Sequence, residues 1–414
     1  MRFCIISILF FVMPIYLMAQ PAGVGNFDEA KVGKYKLPDA LLLANGKKVK
    51  NAEEWEQLQR PYLLRLFEEN VYGKMPGKPS GMYYCLMEMD TSALDGKAIR
   101  KQVTINFSRS DSAPAMNVVM YLPKLNKKVL VFIGLNFLSN LSIDVDTAIL
   151  PSRYVLKKDG VPVAVKRGEQ SRRWPLKEII NAGFGVATAY YQDIEPDNPA
   201  IKSGIRYMLQ KELGIKPEEW GAIGAWAWGL SRMQDYLETD ALVDATKTIV
   251  TGHSRLGKAA LWAGAQDSRF AIVISNNSGE GGAALARRNF GETIEIMNKA
   301  FPHWYVNKYK SYGKYPEKLP VDQHMLLSLI APRPVYVASA VEDEWADPKG
   351  EFLALKNAEP VYQLYNKPLL NTLVWPAVNK PVGSGYMGYH IRTGAHDILL
   401  YDWEQYIKFA KKYF

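Results

Sequence analysis

Ser254 sits between two glycines in the stretch Thr248-Ile249-Val250-Thr251-Gly252-His253-Ser254-Arg255-Leu256-Gly257-Lys258. A serine hydroxyl becomes a nucleophile when an imidazole takes its proton, and a carboxylate behind the imidazole fixes its tautomer and stabilises the imidazolium. The chain offers five histidines: His253, His303, His324, His390 and His396. In a Ser–acid–His order the base follows the last strand, which leaves His390 and His396. His396, in the loop Gly394-Ala395-His396-Asp397, is the first choice and His390 the second. The acid is expected after a strand over 335–340, where Glu342, Asp343, Glu344 and Asp347 share one turn. Asp343 is the choice, because a carboxylate just past the strand end can bend back toward His396. Asp347-Pro348 reads instead as a helix cap followed by proline. These groups predict ester hydrolysis through an acyl-enzyme. The Arg255 N–H is an oxyanion donor by its place after the nucleophile, and the Arg255 side chain adds positive charge.

Presenting such a serine takes a strand, a sharp turn and a helix. The β-branched run 248–251 stops at Gly252, and helix formers begin at Leu256, the layout of a nucleophile elbow. The spacing is G-x-S-x-x-G rather than G-x-S-x-G, and the competing reading is an ordinary strand–helix turn with a capping serine. Upstream, 52–70 has helical apolar spacing, while 81–89, 100–107, 117–122, 129–133 and 185–190 read as strands. Residues 222–237 read as a helix, 271–275 and 334–340 as strands, 370–375 as the last strand, and 401–413 as a closing helix. Meandering strands first and alternating strands and helices later predict an α/β-hydrolase fold, a three-layer αβα sandwich with a mainly parallel sheet.

The rest of the chain bounds its setting. Of 414 residues, 48% are hydrophobic, enough for a large core. Arg2, an apolar run over 5–18 and the small Ala19 have the pattern of a signal peptide, 1–19, too short to span a membrane. Residues 20–414 are expected to form one catalytic domain, with 20–80 a peripheral extended segment and helix, secreted or periplasmic. Cys4 lies in the leader, so Cys85 alone remains; this excludes an internal disulfide and a cysteine-based metal site. The net charge of +9 is scattered without a dense basic run, which speaks against nucleic acid.

The motif extends beyond the elbow. Gly252-His253-Ser254-Arg255-Leu256-Gly257-Lys258, Ser275-Asn276-Asn277-Ser278-Gly279 and Arg287-Arg288-Asn289-Phe290-Gly291-Glu292 resemble the bacterial glucuronoyl esterases, carbohydrate esterase family 15. Phe301-Pro302-His303-Trp304, Leu319-Pro320-Val321-Asp322-Gln323-His324, Ala331-Pro332-Arg333-Pro334 and Glu342-Asp343-Glu344-Trp345-Ala346-Asp347-Pro348 continue the likeness. The resemblance implies a secreted α/β-hydrolase that cleaves esters between 4-O-methyl-glucuronic acid on xylan and lignin alcohols, without metal or cofactor. It implies Ser254 as nucleophile, His396 as base and Arg255 in the oxyanion hole. Lys258 and Glu292 would hydrogen-bond sugar hydroxyls, and Trp345 would line the sugar site. The partner is then a polysaccharide or oligosaccharide substrate, with the protein a monomer.

One departure stands out. Many members of that family carry a glutamate as triad acid where this chain has Asn277. An amide cannot supply the charge, which favours Asp343, with Glu280 as the spare. The rival activities are removal of acetyl groups from xylan or another carbohydrate, and carbohydrate binding without catalysis.

Overall fold

The computed structural model describes residues 25–155, 157–158, 161–383 and 385–414. The expected leader, 1–19 with Cys4, lies outside them. Nine strands form one sheet: β1 (Tyr83–Ala93), β2 (Ala98–Asn106), β3 (Ala115–Pro123), β4 (Leu130–Asn136), β5 (Phe184–Tyr190), β6 (Thr248–His253), β7 (Phe270–Asn276), β8 (Val335–Ala340) and β9 (Met387–Arg392). Their order is β1-β2-β3-β5-β4-β6-β7-β8-β9. The pairs β1/β2, β2/β3 and β3/β5 are antiparallel, and every pair from β5/β4 to β8/β9 is parallel.

Period-two alternation divides the strands between two apolar layers. Val131, Ile133 and Leu135 of β4 join one cluster and Phe132 the other; Val335 and Val337 of β8 oppose Tyr336 and Ala338 in the same way. Helix α1 (Leu176–Asn181) supplies Leu176, Ile179 and Ile180 to the smaller layer. Helices α2 (Ala222–Leu237) and α3 (Arg255–Gln266) bury Trp226, Trp228 and Trp262 in the larger one, joined by Phe352 of α4 (Pro348–Asn357). Helix α5 (Leu400–Ala410) returns to the smaller layer through Trp403, Tyr406 and Phe409. The sandwich is therefore the αβα architecture expected from the sequence.

The helical stretch near the N-terminus runs through Ala52–Glu54, Trp55–Gln59, Arg60–Phe67 and Glu68–Tyr72, two of these segments being π-helical. It buries Trp55, Leu63, Phe67 and Tyr72 in the larger layer.

The expected strand at 370–375 is absent. Leu370 is buried in the larger layer, but Leu373 is 91% exposed and Val374 71% exposed, so the middle of the apolar run lies in solvent and pairs with no strand. The last strand is β9, where Gly388, His390 and Arg392 mask the apolar signal. A β-carbon on Gly388 would come within 2.3 Å of the Tyr336 ring, which explains the glycine. Asp402 of α5 neutralises the polar pair: its carboxylate accepts from Arg392 Nε at 2.8 Å and pairs with His390 Nε2 at 2.8 Å. Buried polar side chains are tolerated in a strand when partnered in this way.

Candidate active site

The turn between β6 and α3 is built by close approach. A β-carbon on Gly252 would stand 2.1 Å from the Leu256 carbonyl oxygen, and one on Gly257 3.0 Å from the Gly252 carbonyl oxygen. Both positions need a missing side chain, which accounts for the G-x-S-x-x-G spacing. Ser254 caps α3 with φ 56° and ψ −132°, a conformation that costs a non-glycine residue about 1–3 kcal/mol. The surrounding packing holds that strain, and it lifts the hydroxyl away from the strand. The Arg255 and Leu256 amides open α3, so no carbonyl of a preceding turn is available to them, and they point out of the helix N-terminus.

His396 lies in the loop between β9 and α5, and its Nε2 is 2.9 Å from Ser254 Oγ. Its Nδ1 is 2.6 Å from Asp343 Oδ2. Asp343 is buried in the turn after β8. Serine, imidazole and carboxylate thus converge from three strand ends. Asn277 reaches the same carboxylate: Nδ2 donates to Asp343 Oδ2 at 2.6 Å from a backbone at φ 45°.

The other histidines are placed elsewhere. His390 is buried inside β9, where it meets Asp402 and, at 3.0 Å, the Tyr336 hydroxyl. As the alternative base it therefore faces the smaller apolar layer, not Ser254. His303 Nε2 is 2.9 Å from Asp197, and His324 Nε2 is 2.9 Å from the Pro38 carbonyl. His253 packs beside the His396 ring, centroids 4.5 Å apart, with its Nδ1 2.6 Å from Asn276 Oδ1. Burial, reinforced by His396 and Arg173, holds His253 well below the ordinary imidazole range, so it stays neutral.

The spare acid, Glu280, points away from His396. Its carboxylate accepts from the Tyr309 hydroxyl, and burial pushes its pKa up to about 8. Such a group is an acid held in the core, not an ionised partner for an imidazolium.

One helical turn beyond Ser254, buried Lys258 donates to the Ser278 carbonyl at 2.6 Å, the Glu280 carbonyl at 2.7 Å and Glu292 Oε2 at 2.8 Å. Glu292 in turn donates its backbone N–H to the Trp345 carbonyl at 2.8 Å. Lys258, Glu292 and Trp345, far apart in sequence, are therefore neighbours. Arg255 lies 4.8 Å from the centre of the Trp304 ring and 5.4 Å from that of Phe301, and it pairs with Asp197. Trp304 carried no assigned role in the sequence, and Asp197 escaped notice because it stands 58 residues from Arg255. The one available signal was the polar loop from Gln192 to Pro196, which ends beside it.

The chain has relatives in sequence and in fold. The family model described as "Glucuronyl esterase, fungi" matches residues 141–366. A carbohydrate esterase, MZ0003, from an unknown prokaryotic organism is 45% identical over 99% of this chain and 98% of its own. A 4-O-methyl-glucuronoyl methylesterase of Wolfiporia cocos is 32% identical over 86% of this chain and 78% of its own. The solved glucuronoyl esterase from Solibacter usitatus superposes with a TM-score of 0.87 at 46% identity, covering 92% of this chain and 99% of that one. Likeness of this extent, in sequence and in fold, makes the chain a member of the glucuronoyl esterases, carbohydrate esterase family 15.

Proposed function

We propose that this protein hydrolyses 4-O-methyl-glucuronoyl esters that link glucuronoxylan to lignin, with Ser254 as nucleophile, His396 as base and Asp343 as acid. The observation that carries the reading is the unbroken chain from Ser254 Oγ to His396 Nε2 at 2.9 Å and from His396 Nδ1 to Asp343 Oδ2 at 2.6 Å. His396 takes the serine proton as Oγ attacks the ester carbonyl carbon. The oxyanion that forms is met by the Arg255 N–H and the positive charge of its side chain. Collapse of the tetrahedral centre expels the alcohol, which takes its proton from the imidazolium. Water, deprotonated by His396, then attacks the acyl-enzyme and frees the glucuronate and Ser254. Glu292 holds a sugar hydroxyl, Lys258 fixes Glu292 in place with one of its three N–H groups, and Trp345 borders the sugar. The names of the similar proteins support this substrate class.

Residues 20–414 act as one monomeric catalytic domain exported after cleavage at Ala19. Sequencing the N-terminus of the exported protein is expected to begin at Gln20, and size-exclusion chromatography to give a single-chain mass.

The deciding experiment is a substrate panel: benzyl or methyl glucuronate esters, the matching galacturonate esters, and acetylated xylan. Glucuronate esters are expected to be turned over fastest, and Ser254→Ala to abolish turnover with an unchanged fold. Preference for acetylated xylan would make the enzyme a deacetylase, and near-normal activity of Ser254→Ala would remove the nucleophile.

A further inference from the structure

The loop that follows β5 carries four acidic or amide side chains, Gln192, Asp193, Glu195 and Asp197, into the protein interior. Asp193 accepts from the backbone N–H groups of Tyr154 at 2.6 Å and Asn117 at 3.2 Å. Glu195 accepts from the Arg206 N–H at 3.1 Å, and its carbonyl accepts from Trp226 Nε1 at 2.9 Å. Gln192 holds the backbone N–H of Asp197 at 3.3 Å. The segment is therefore tied down along its length, and Asp197 stands at its end on a fixed base.

Four donors converge on the Asp197 carboxylate. Oδ2 pairs with an Arg255 terminal nitrogen and accepts from the Tyr191 hydroxyl at 3.0 Å. Oδ1 accepts from Trp304 Nε1 at 2.7 Å and lies 2.9 Å from His303 Nε2. Burial opposes the ionised form, but Arg255 and then His303 outweigh it, so the carboxyl is held well below the usual range. On the other side, the Arg255 guanidinium is stacked near Trp304 and Phe301, and its Nε is buried with no partner among the described residues. Asp197 is the one carboxylate paired with this guanidinium among the described residues.

We propose that Asp197 is a positioning residue that fixes the Arg255 guanidinium beside Ser254, so that its charge is in place before the oxyanion forms. The inference rests on the reading of Ser254 as nucleophile and adds a residue that touches neither substrate nor reacting atoms. Two effects of removing Asp197 compete. Loss of a nearby negative charge strengthens the field of Arg255, which favours the oxyanion. Loss of the anchor frees a long side chain, and a misplacement of about 1 Å costs on the order of 100-fold. Losing an oxyanion donor outright costs about 100- to 1000-fold, so the anchor outweighs the added field.

Asp197→Asn keeps the shape and removes the charge. It is expected to lower kcat by about 10- to 100-fold with KM changed less than about threefold. In an Arg255→Met background the same substitution is expected to cost nothing further. An unchanged or raised kcat, or an equal loss in both backgrounds, would overturn the proposal. Should Asp197→Asn not fold, Tyr191→Phe and Trp304→Phe each remove one bond to the carboxylate. A drop in kcat of a few fold in each supports the anchor, and wild-type kcat in both overturns it. Activity surviving in Ser254→Ala would instead strike the underlying reading, whatever Asp197 does.

Discussion

Asn277 Nδ2 and His396 Nδ1 bind the same oxygen of Asp343, each at 2.6 Å. Asn277, where the family resemblance leads one to expect a carboxylate, is thus a donor to the carboxylate at the next strand end. The amide thereby fixes the direction of the carboxylate oxygen that faces the imidazole.

Asp343→Asn should reduce kcat by about 10⁴-fold, because an amide neither holds the reactive tautomer nor stabilises the imidazolium. Glu280→Gln, whose carboxylate meets Tyr309 instead, should change kcat by less than about tenfold. Steady-state kinetics on a glucuronate ester separates the two, and the reverse ranking would transfer the acid role to Glu280.

Asn277→Asp would set a second carboxylate against Asp343. Two carboxylates at that distance repel, so the created pair retains a proton to higher pH than a single acid does. The acidic limb of the kcat/KM profile should therefore move upward by about one unit or more. A profile coincident with wild type would show that the two side chains do not communicate.

Lys258→Met should be costly in two ways. It leaves Glu292 and two carbonyls without their buried cation, a loss of about 3–5 kcal/mol in unfolding free energy. It should also raise KM for glucuronate esters more than for simple aryl acetates. Denaturant unfolding reads the first effect, and the ratio of the two KM changes reads the second.

The pH dependence of stability follows from four acids in the core, among them Asp193 and Glu195, which burial raises to about 7. Burial raises Glu280 to about 8 and Glu351 to about 8 from an ordinary value of 4.5. Between 4.5 and about 8 the folded state binds protons that the unfolded chain has released, so stability is full below this window and falls as pH rises through it. Carboxylates with lowered values, such as Asp240 and Asp267, titrate below 3.8 and leave the window unaffected. Calorimetry should record a falling Tm from pH 6 to about 9, and Glu280→Gln should flatten that fall. A Tm rising over the same range would contradict the assignment.

The sequence discloses the site where chemistry and spacing coincide. Gly252, Ser254 and Gly257 lie within six residues, and a strand running into a helix needs only local pattern, so the elbow was legible. His396 could be named because few histidines lie past the last strands, and Asp343 because it stands just past a strand end, from which a carboxylate can bend back toward the imidazole. Contacts between distant segments were not legible: nothing in the spacing of Asp197 and Arg255 joins them, and Asn277 gives no local sign that it binds Asp343. The last strand was misplaced because the apolar run containing Leu373 and Val374 imitates a strand, whereas β9 hides two charged or titratable side chains that Asp402 satisfies from another element. Local pattern cannot anticipate a partner supplied by the fold.

Arg392 at the end of β9 gathers the loop that carries His396. Its guanidinium donates to the carbonyl oxygens of Thr393 at 3.0 Å, Ala395 at 3.3 Å and Asp397 at 2.5 Å. The grip falls on main-chain oxygens, which every amino acid provides. Ala395 is therefore free to drift in identity over evolutionary time without displacing the imidazole, while a change at Arg392 would loosen it.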